Sequence, residues 1–291
     1  MMLVPQALRR PGFPEQEVRR LRLRLEAFLE RVDLADSALI IDGPGPGLAS
    51  HFVALALLGP ARVNQLGHLH SVSASAYGVL YFVAWHRGLI TLTPRRIDDF
   101  NRANQARHGV GGWGAAGRLL LGKVRGARYL FSNDRAEEVL AYGVHPDFIH
   151  TKVAALPHNL SFWTYCVERR ELGEIRRDSG LADWSLGEVI RAVTAVNGIY
   201  APFHKEGQSY VDAVTAPQLR QLYRDLRAQY RDVLFLHMNR DGVQGNTSFV
   251  RMHHTGSGRL RIMLDFLYFL SGIENRDVNE AIRVSLAVPP I

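Results

Sequence analysis

The sequence predicts an α/β fold: three layers, α/β/α, around a mainly parallel central sheet. Three observations predict it. The first half of the chain alternates strand-length and helix-length apolar runs. The first strand-like run, Ser37-Ala38-Leu39-Ile40-Ile41, ends in a loop of prolines and glycines, Asp42-Gly43-Pro44-Gly45-Pro46-Gly47. A second run stops in a cluster of small residues, Ser71-Val72-Ser73-Ala74-Ser75, followed by an apolar run of helix length. In open parallel sheets, sites form at the carboxyl ends of strands. Both the glycine loop and the serine corner lie at such ends.

The elements follow in order. Glu15 to Val32 carries Val18, Leu21, Leu25, Phe28 and Leu29 at helical spacing, an amphipathic helix in a lead-in over 1–36. The Asp42 to Gly47 loop excludes helix and strand through its prolines and glycines. Ser50 is placed to cap a helix over Phe52 to Leu58, stopped by Gly59-Pro60. Val63 to His70 reads as the strand feeding the serine corner. The next helix ends on Gly88, where a C-terminal glycine belongs. Thr93-Pro94 opens a helix to about Arg107. His108 to Gly126 gathers seven glycines around Trp113 and Leu119-Leu120-Leu121. Flexible backbone with apolar side chains makes 105–130 a candidate lid, or an ordinary connector. Asp134 with Glu137 reads as a capping box opening a helix to Ala141. Ile149 to Leu156 and Ser161 to Glu168 read as strands, and Leu186 to Val196 as a helix behind Ser185. A proline loop, Ile199 to Phe203, leads to Ser209-Tyr210-Val211-Asp212. Pro217 to Asp232 is an amphipathic helix, Val233 to Met238 a buried strand, and Leu260 to Leu270 a last apolar helix. With no internal repeat and no dividing linker, residues 1–291 are expected to form one domain.

Composition narrows the function. The formal net charge is +7, and only three of the 35 basic residues are lysines: Lys123, Lys152 and Lys205. The arginines are scattered in small groups, and no helix-turn-helix, zinc-finger or RNP pattern accompanies them, so nucleic acid is not an expected partner. Peripheral contact with an anionic membrane, or with an acidic acyl-carrier domain, fits the charge. No apolar run reaches the ~18 residues needed to span a bilayer. Met1 to Pro14 lacks a signal-peptide core, so a cytoplasmic protein is expected. The single cysteine, Cys166, excludes an internal disulfide and a cysteine-rich metal site. Gly112 to Gly117 matches G-x-G-x-x-G but follows a polar helix, which argues against a dinucleotide site. Of the twelve histidines, His68 and His70 share one strand face, and His237, His253 and His254 come late. None shows zinc-ligand spacing, so neither metal nor cofactor is expected, and His68 and His70 read as strand histidines.

The chemistry centres on Ser73. A serine hydroxyl exposed on a strand–turn–helix corner is the nucleophile-elbow arrangement, with the helix N-terminus favouring developing negative charge. Ser71 and Ser75 flank it where an elbow usually carries glycine, and serine is among the smallest substitutes. A triad of Ser73, an acid and a late histidine such as His237 or His253 is a competing reading.

Glycine loop, serine elbow, then an aspartate after a helix and a proline loop: in this order the parts resemble the patatin-like phospholipases. The resemblance runs from about Ala38 to Met238. It implies a patatin-like fold with Ser73 as nucleophile and Asp212 as its dyad partner, without a catalytic histidine. It places the oxyanion hole at Gly43, Gly45, Gly47 and Ala74, and the elbow at Ser71 and Ser75. The implied activity is acyl hydrolysis of a lipid or other ester or thioester through an acyl-serine. Two alternatives accompany it: acyl transfer or ring closure on a carrier-bound chain, and a catalytically inactive lipid- or protein-binding member. The chain departs from the family at Pro44 and Pro46, at both elbow glycines, and at Ala213-Val214 after the aspartate. Each proline removes a backbone N–H, and one oxyanion donor is worth ~3 kcal/mol in the transition state.

Overall fold

The computed structural model describes residues 13–43, 48–91, 129, 131–157, 159–197, 199–237, 242–251, 287 and 290–291. Among these residues a nine-stranded sheet carries helices on both faces. The chain runs α1 (Phe13–Leu29), β1 (Ser37–Asp42), α2 (Leu48–Gln65), β2 (His68–Val72) and α3 (Ser75–His86). It continues through α4 (Ala136–Gly143), β3 (Leu160–Cys166), β4 (Glu171–Ile175), α5 (Leu186–Val193), β5 (Phe203–Lys205) and β6 (Gln208–Asp212). The last described elements are α6 (Leu219–Gln229), β7 (Asp232–His237), β8 (Gly242–Gln244) and β9 (Thr247–Arg251).

Five strands, in the order β3-β2-β1-β7-β9, pair in parallel. Their side chains alternate between two cores, as a strand's period of two requires. Leu39, Ile41, Leu69, Leu234 and Leu236 pack beneath α1, α2, α3, α4 and α5. Ile40, Val72, Trp163, Val233 and Phe235 pack beneath α6 through Leu222 and Leu226. Strands buried on both faces become continuous apolar runs, and β1 and β7 are read from the sequence for that reason.

The sheet positions the site through β3. Residues 162–166 of β3 pair antiparallel with β4 along one edge. The opposite edge serves two strands in turn. Leu160 to Trp163 pair with β2, and Thr164 to Cys166 pair with β6 in the antiparallel sense. The two strands meet end to end, so that the carboxyl end of β6 arrives at the carboxyl end of β2.

Several expected elements take a different form. The Phe52 to Leu58 helix extends over Leu48–Gln65, so Ser50 lies inside it rather than capping it. Gly59 breaks it at φ 76° and ψ 157°, a non-helical backbone that suits glycine, so the first helical segment stops at Gly59-Pro60 as expected and a second runs on to Gln65. The strand expected from Val63 therefore begins at His68. Gly67 makes the connection because a Cβ there would lie 2.4 Å from the Ala35 carbonyl oxygen. Ile149 to Leu156 winds into two 3-10 turns, Pro146–His150 and Val153–Ala155, with Pro146 and His145 favouring the first. Asp134 does not cap α4, which begins behind Arg135. It accepts instead from the Arg191 guanidinium at 2.9 Å. Ser185 does cap α5, in a reciprocal capping box with Glu188. The expected helices over Thr93 to Arg107 and Leu260 to Leu270, the Gly112 to Gly117 run and the candidate lid over 105–130 lie essentially outside the described residues. No helix among the described residues is long and apolar enough to cross a membrane.

Candidate active site

Val72 closes β2, and the chain turns sharply into α3. Ser73 makes the turn at φ 65°, in the left-handed region that side-chain-bearing residues rarely occupy. A strained serine between a strand and a helix is a recurrent signature of a nucleophile held by its surroundings. Ala74 is the N-cap of α3 and has no capping side-chain bond. The Ala76 and Tyr77 amides donate to the Ser73 and Ala74 carbonyls at 3.2 and 3.1 Å, and the positive end of the helix dipole lies next to Ser73.

Two serines hold this corner. Ser75 Oγ donates to the Val72 carbonyl at 2.8 Å and shares that proton with the Ile41 carbonyl at 3.0 Å. Ser71 Oγ lies 2.6 Å from Ser75 Oγ and supplies the remaining hydrogen bond. Both serines are buried. The hydroxyls at the glycine positions of an elbow thus fasten the ends of β1 and β2 to the start of α3. Their small volume leaves the close packing intact.

Asp212 ends β6 and is fully buried. Its Oδ2 accepts the Ser73 hydroxyl at 2.5 Å, and its Oδ1 accepts the Val214 amide at 2.9 Å. The second bond caps the 3-10 turn Ala213–Thr215 and fixes the carboxylate's orientation. Burial pushes the Asp212 carboxyl up from 3.8 to about 7, and the nearby Asp42 charge adds to the rise. The bonds from Ser73 and Val214 act in the opposite sense. A carboxylate titrating near neutrality is suited to general-base work.

Asp42 and Tyr223 complete the surroundings, and neither is among the site residues expected from the sequence. Asp42 ends β1 beside β2 and is buried. The Tyr223 ring stacks edge-on against Phe235 at 4.9 Å, and its hydroxyl faces the Asp42 carboxylate. Burial and that charge hold the phenol proton on, well above its ordinary range. A carboxylate placed directly between a buried strand and a glycine loop was the available signal for Asp42.

Ser73 and Asp212, 139 residues apart, are thus brought into hydrogen-bond contact, with Ala74 at the helix N-terminus beside them and Ser71 and Ser75 beneath. Gly43 directly follows Asp42 at the carboxyl end of β1; Gly45 and Gly47 lie outside the described residues. His68 and His70 occupy the other half of β2, on the face under α6. The arrangement offers a hydroxyl, a carboxylate able to take its proton, and a helix N-terminus facing the same point.

No protein-family model matches the sequence, and a comparison with curated proteins finds no match. Among solved structures the chain is similar to the crystal structure of VipD from Legionella pneumophila, at 12% identity and a TM-score of 0.37, over 87% of this chain and 67% of VipD.

Proposed function

We propose that this chain is a serine acyl hydrolase of the patatin-like kind, acting on a lipid or other acyl ester or thioester through a Ser73–Asp212 dyad. One observation carries the reading: a strained, buried elbow serine donates a 2.5 Å hydrogen bond to a carboxylate raised to about 7. Asp212 takes the hydroxyl proton as Ser73 Oγ bonds to the acyl carbon. The carbonyl oxygen becomes an oxyanion, held by the Ala74 amide at the start of α3 and by the Gly43 end of the loop. Collapse of the tetrahedral intermediate breaks the bond to the leaving group, which takes the proton from Asp212. Water then attacks the acyl-serine, Asp212 accepts its proton, and the acid departs as Ser73 recovers its hydrogen.

Ser73 is only 1% exposed. Such a site excludes water, which strengthens the dyad's electrostatics. It also requires the surroundings of Ser73 to open for substrate. The test is labelling with a fluorophosphonate probe and turnover of p-nitrophenyl esters of graded chain length. Labelling at Ser73 that vanishes in Ser73→Ala is the expected result. The absence of both labelling and turnover would leave the inactive lipid- or protein-binding reading.

A further inference from the structure

A second cluster of polar groups lies on β2, the strand that leads into Ser73. His68 and His70 are two residues apart on β2 and therefore point to one face of the sheet. Their rings stack at 4.3 Å with 26° between planes. Glu174 approaches from β4, two strands away, because β3 carries both registers: His70 stands opposite Ser161, and Glu174 opposite Trp163. One ligand atom from each of His68, His70 and Glu174 lies within 4.8 Å of the other two. They open onto a cavity of about 380 Å³ between the sheet and α6, walled also by Trp163, Arg176 and Tyr230.

We infer that His68, His70 and Glu174 form a binding site for a divalent transition-metal ion of the zinc class. Two imidazoles and one carboxylate are a zinc-type donor set; calcium and magnesium prefer oxygen throughout. Three protein ligands leave a fourth position, and here it faces the cavity. The second shell is in place. Ser161 Oγ donates to Glu174 Oε1 at 2.6 Å and lies 2.6 Å from His68 Nε2. The Trp163 indole N–H donates to His70 Nδ1 at 3.3 Å, while His70 Nε2 lies 3.3 Å from the Tyr230 hydroxyl. Such partners orient ligands and set their tautomers. Both 3.3 Å contacts are long, so His70 gives up little by turning to a metal. Glu174 is half-buried, and its second carboxylate oxygen lies 3.8 Å from the Arg176 guanidinium.

Charge agrees with this assignment. Among the described residues of the cavity wall Arg176 is the one cation, and it pairs with Asp178 at 2.9 Å. Glu174 and Asp225, on the same wall, outweigh it. Along β2 the site lies about 10 Å or more from Ser73, at ~3.3 Å per residue, so it stands apart from the dyad.

The experiment titrates the tag-free full chain, stripped with EDTA, with Zn²⁺ by calorimetry and with Co²⁺ by visible absorption. One Zn²⁺ per chain and the ligand-field bands of tetrahedral Co²⁺ are expected. His70→Ala and Glu174→Gln should each weaken binding by about tenfold or more. Glu174→Gln is the safer variant because its half-buried side chain keeps its shape, and its melting temperature in EDTA should match the wild type. Absence of saturable binding, or binding that both variants leave unchanged, would overturn the assignment. The readout is metal affinity, so this result and Ser73 labelling succeed or fail independently.

Discussion

Val72 and Asp212 stand opposite consecutive residues of β3, Trp163 and Thr164, on the same edge of that strand. Val72 is the last residue before the elbow, so the register of one strand delivers Asp212 to Ser73. If the two act as a dyad, Asp212→Asn should keep the fold yet lower the rate of Ser73 labelling by on the order of 10²–10⁴. Ser73→Ala should lose labelling altogether. Intact-mass spectrometry after exposure to the probe reads both.

The raised Asp212 carboxyl gives the proposed activity a direction in pH. The base must be ionised to accept the proton, so labelling and ester turnover should rise about tenfold per pH unit below about 7 and level off above it. The same shift acts on stability with a definite sign. Between the ordinary aspartate range near 4 and about 7, the folded chain holds a proton that the unfolded chain has released. The contribution of Asp212 to stability is therefore full at low pH and is lost as pH rises toward 7. Thermal melts should show Asp212→Asn gaining on the wild type from pH 5 to pH 8.

The serine corner separates strain from chemistry. Ser73 sits at φ 65°, which glycine adopts at no steric cost. Ser73→Gly should therefore be more stable than Ser73→Ala by about 1 kcal/mol, with both inactive. Equal denaturant midpoints for the two variants would show that the turn stores no strain.

Ser75 is predicted to be structural. Ser75→Ala removes the hydroxyl between the Val72 and Ile41 carbonyls and the partner of Ser71, for a loss of about 1–2 kcal/mol. Urea unfolding measures it. Gly67→Ala should cost more, about 1–3 kcal/mol, because its Cβ would meet the backbone oxygen of Ala35 rather than a movable side chain.

The parallel core was legible because its strands are buried on both faces. Ala38 to Ile41 and Val233 to Leu236 are unbroken apolar runs, and no competing period disguises them. Glu171-Leu172-Gly173-Glu174-Ile175 was not legible: β4 is mostly half-exposed, and its residues resemble a turn. Ile149 to Leu156 differs from its expected strand because a short apolar run does not distinguish a strand from buried 3-10 turns. At the candidate site, the serine corner and the late aspartate could be named from residue type and order. Their contact depends on a β3 edge shared between a parallel and an antiparallel strand, and no local pattern encodes that. Ser71 and Ser75 looked like losses against a glycine elbow until their hydrogen bonds were visible. Glu174 joins His68 and His70 only through β4, a strand whose half-exposed residues show no strand period.

The butted arrangement of β2 and β6 makes β3 a ruler. The spacing between hydroxyl and carboxylate is set by one peptide step, from Trp163 to Thr164, and not by how the surrounding helices settle against one another. Helices and loops are thus at liberty to drift in sequence while the two groups keep their separation. A single-residue insertion into β3 near that step would offset one strand end against the other by about 3.3 Å, more than a hydrogen bond can bridge.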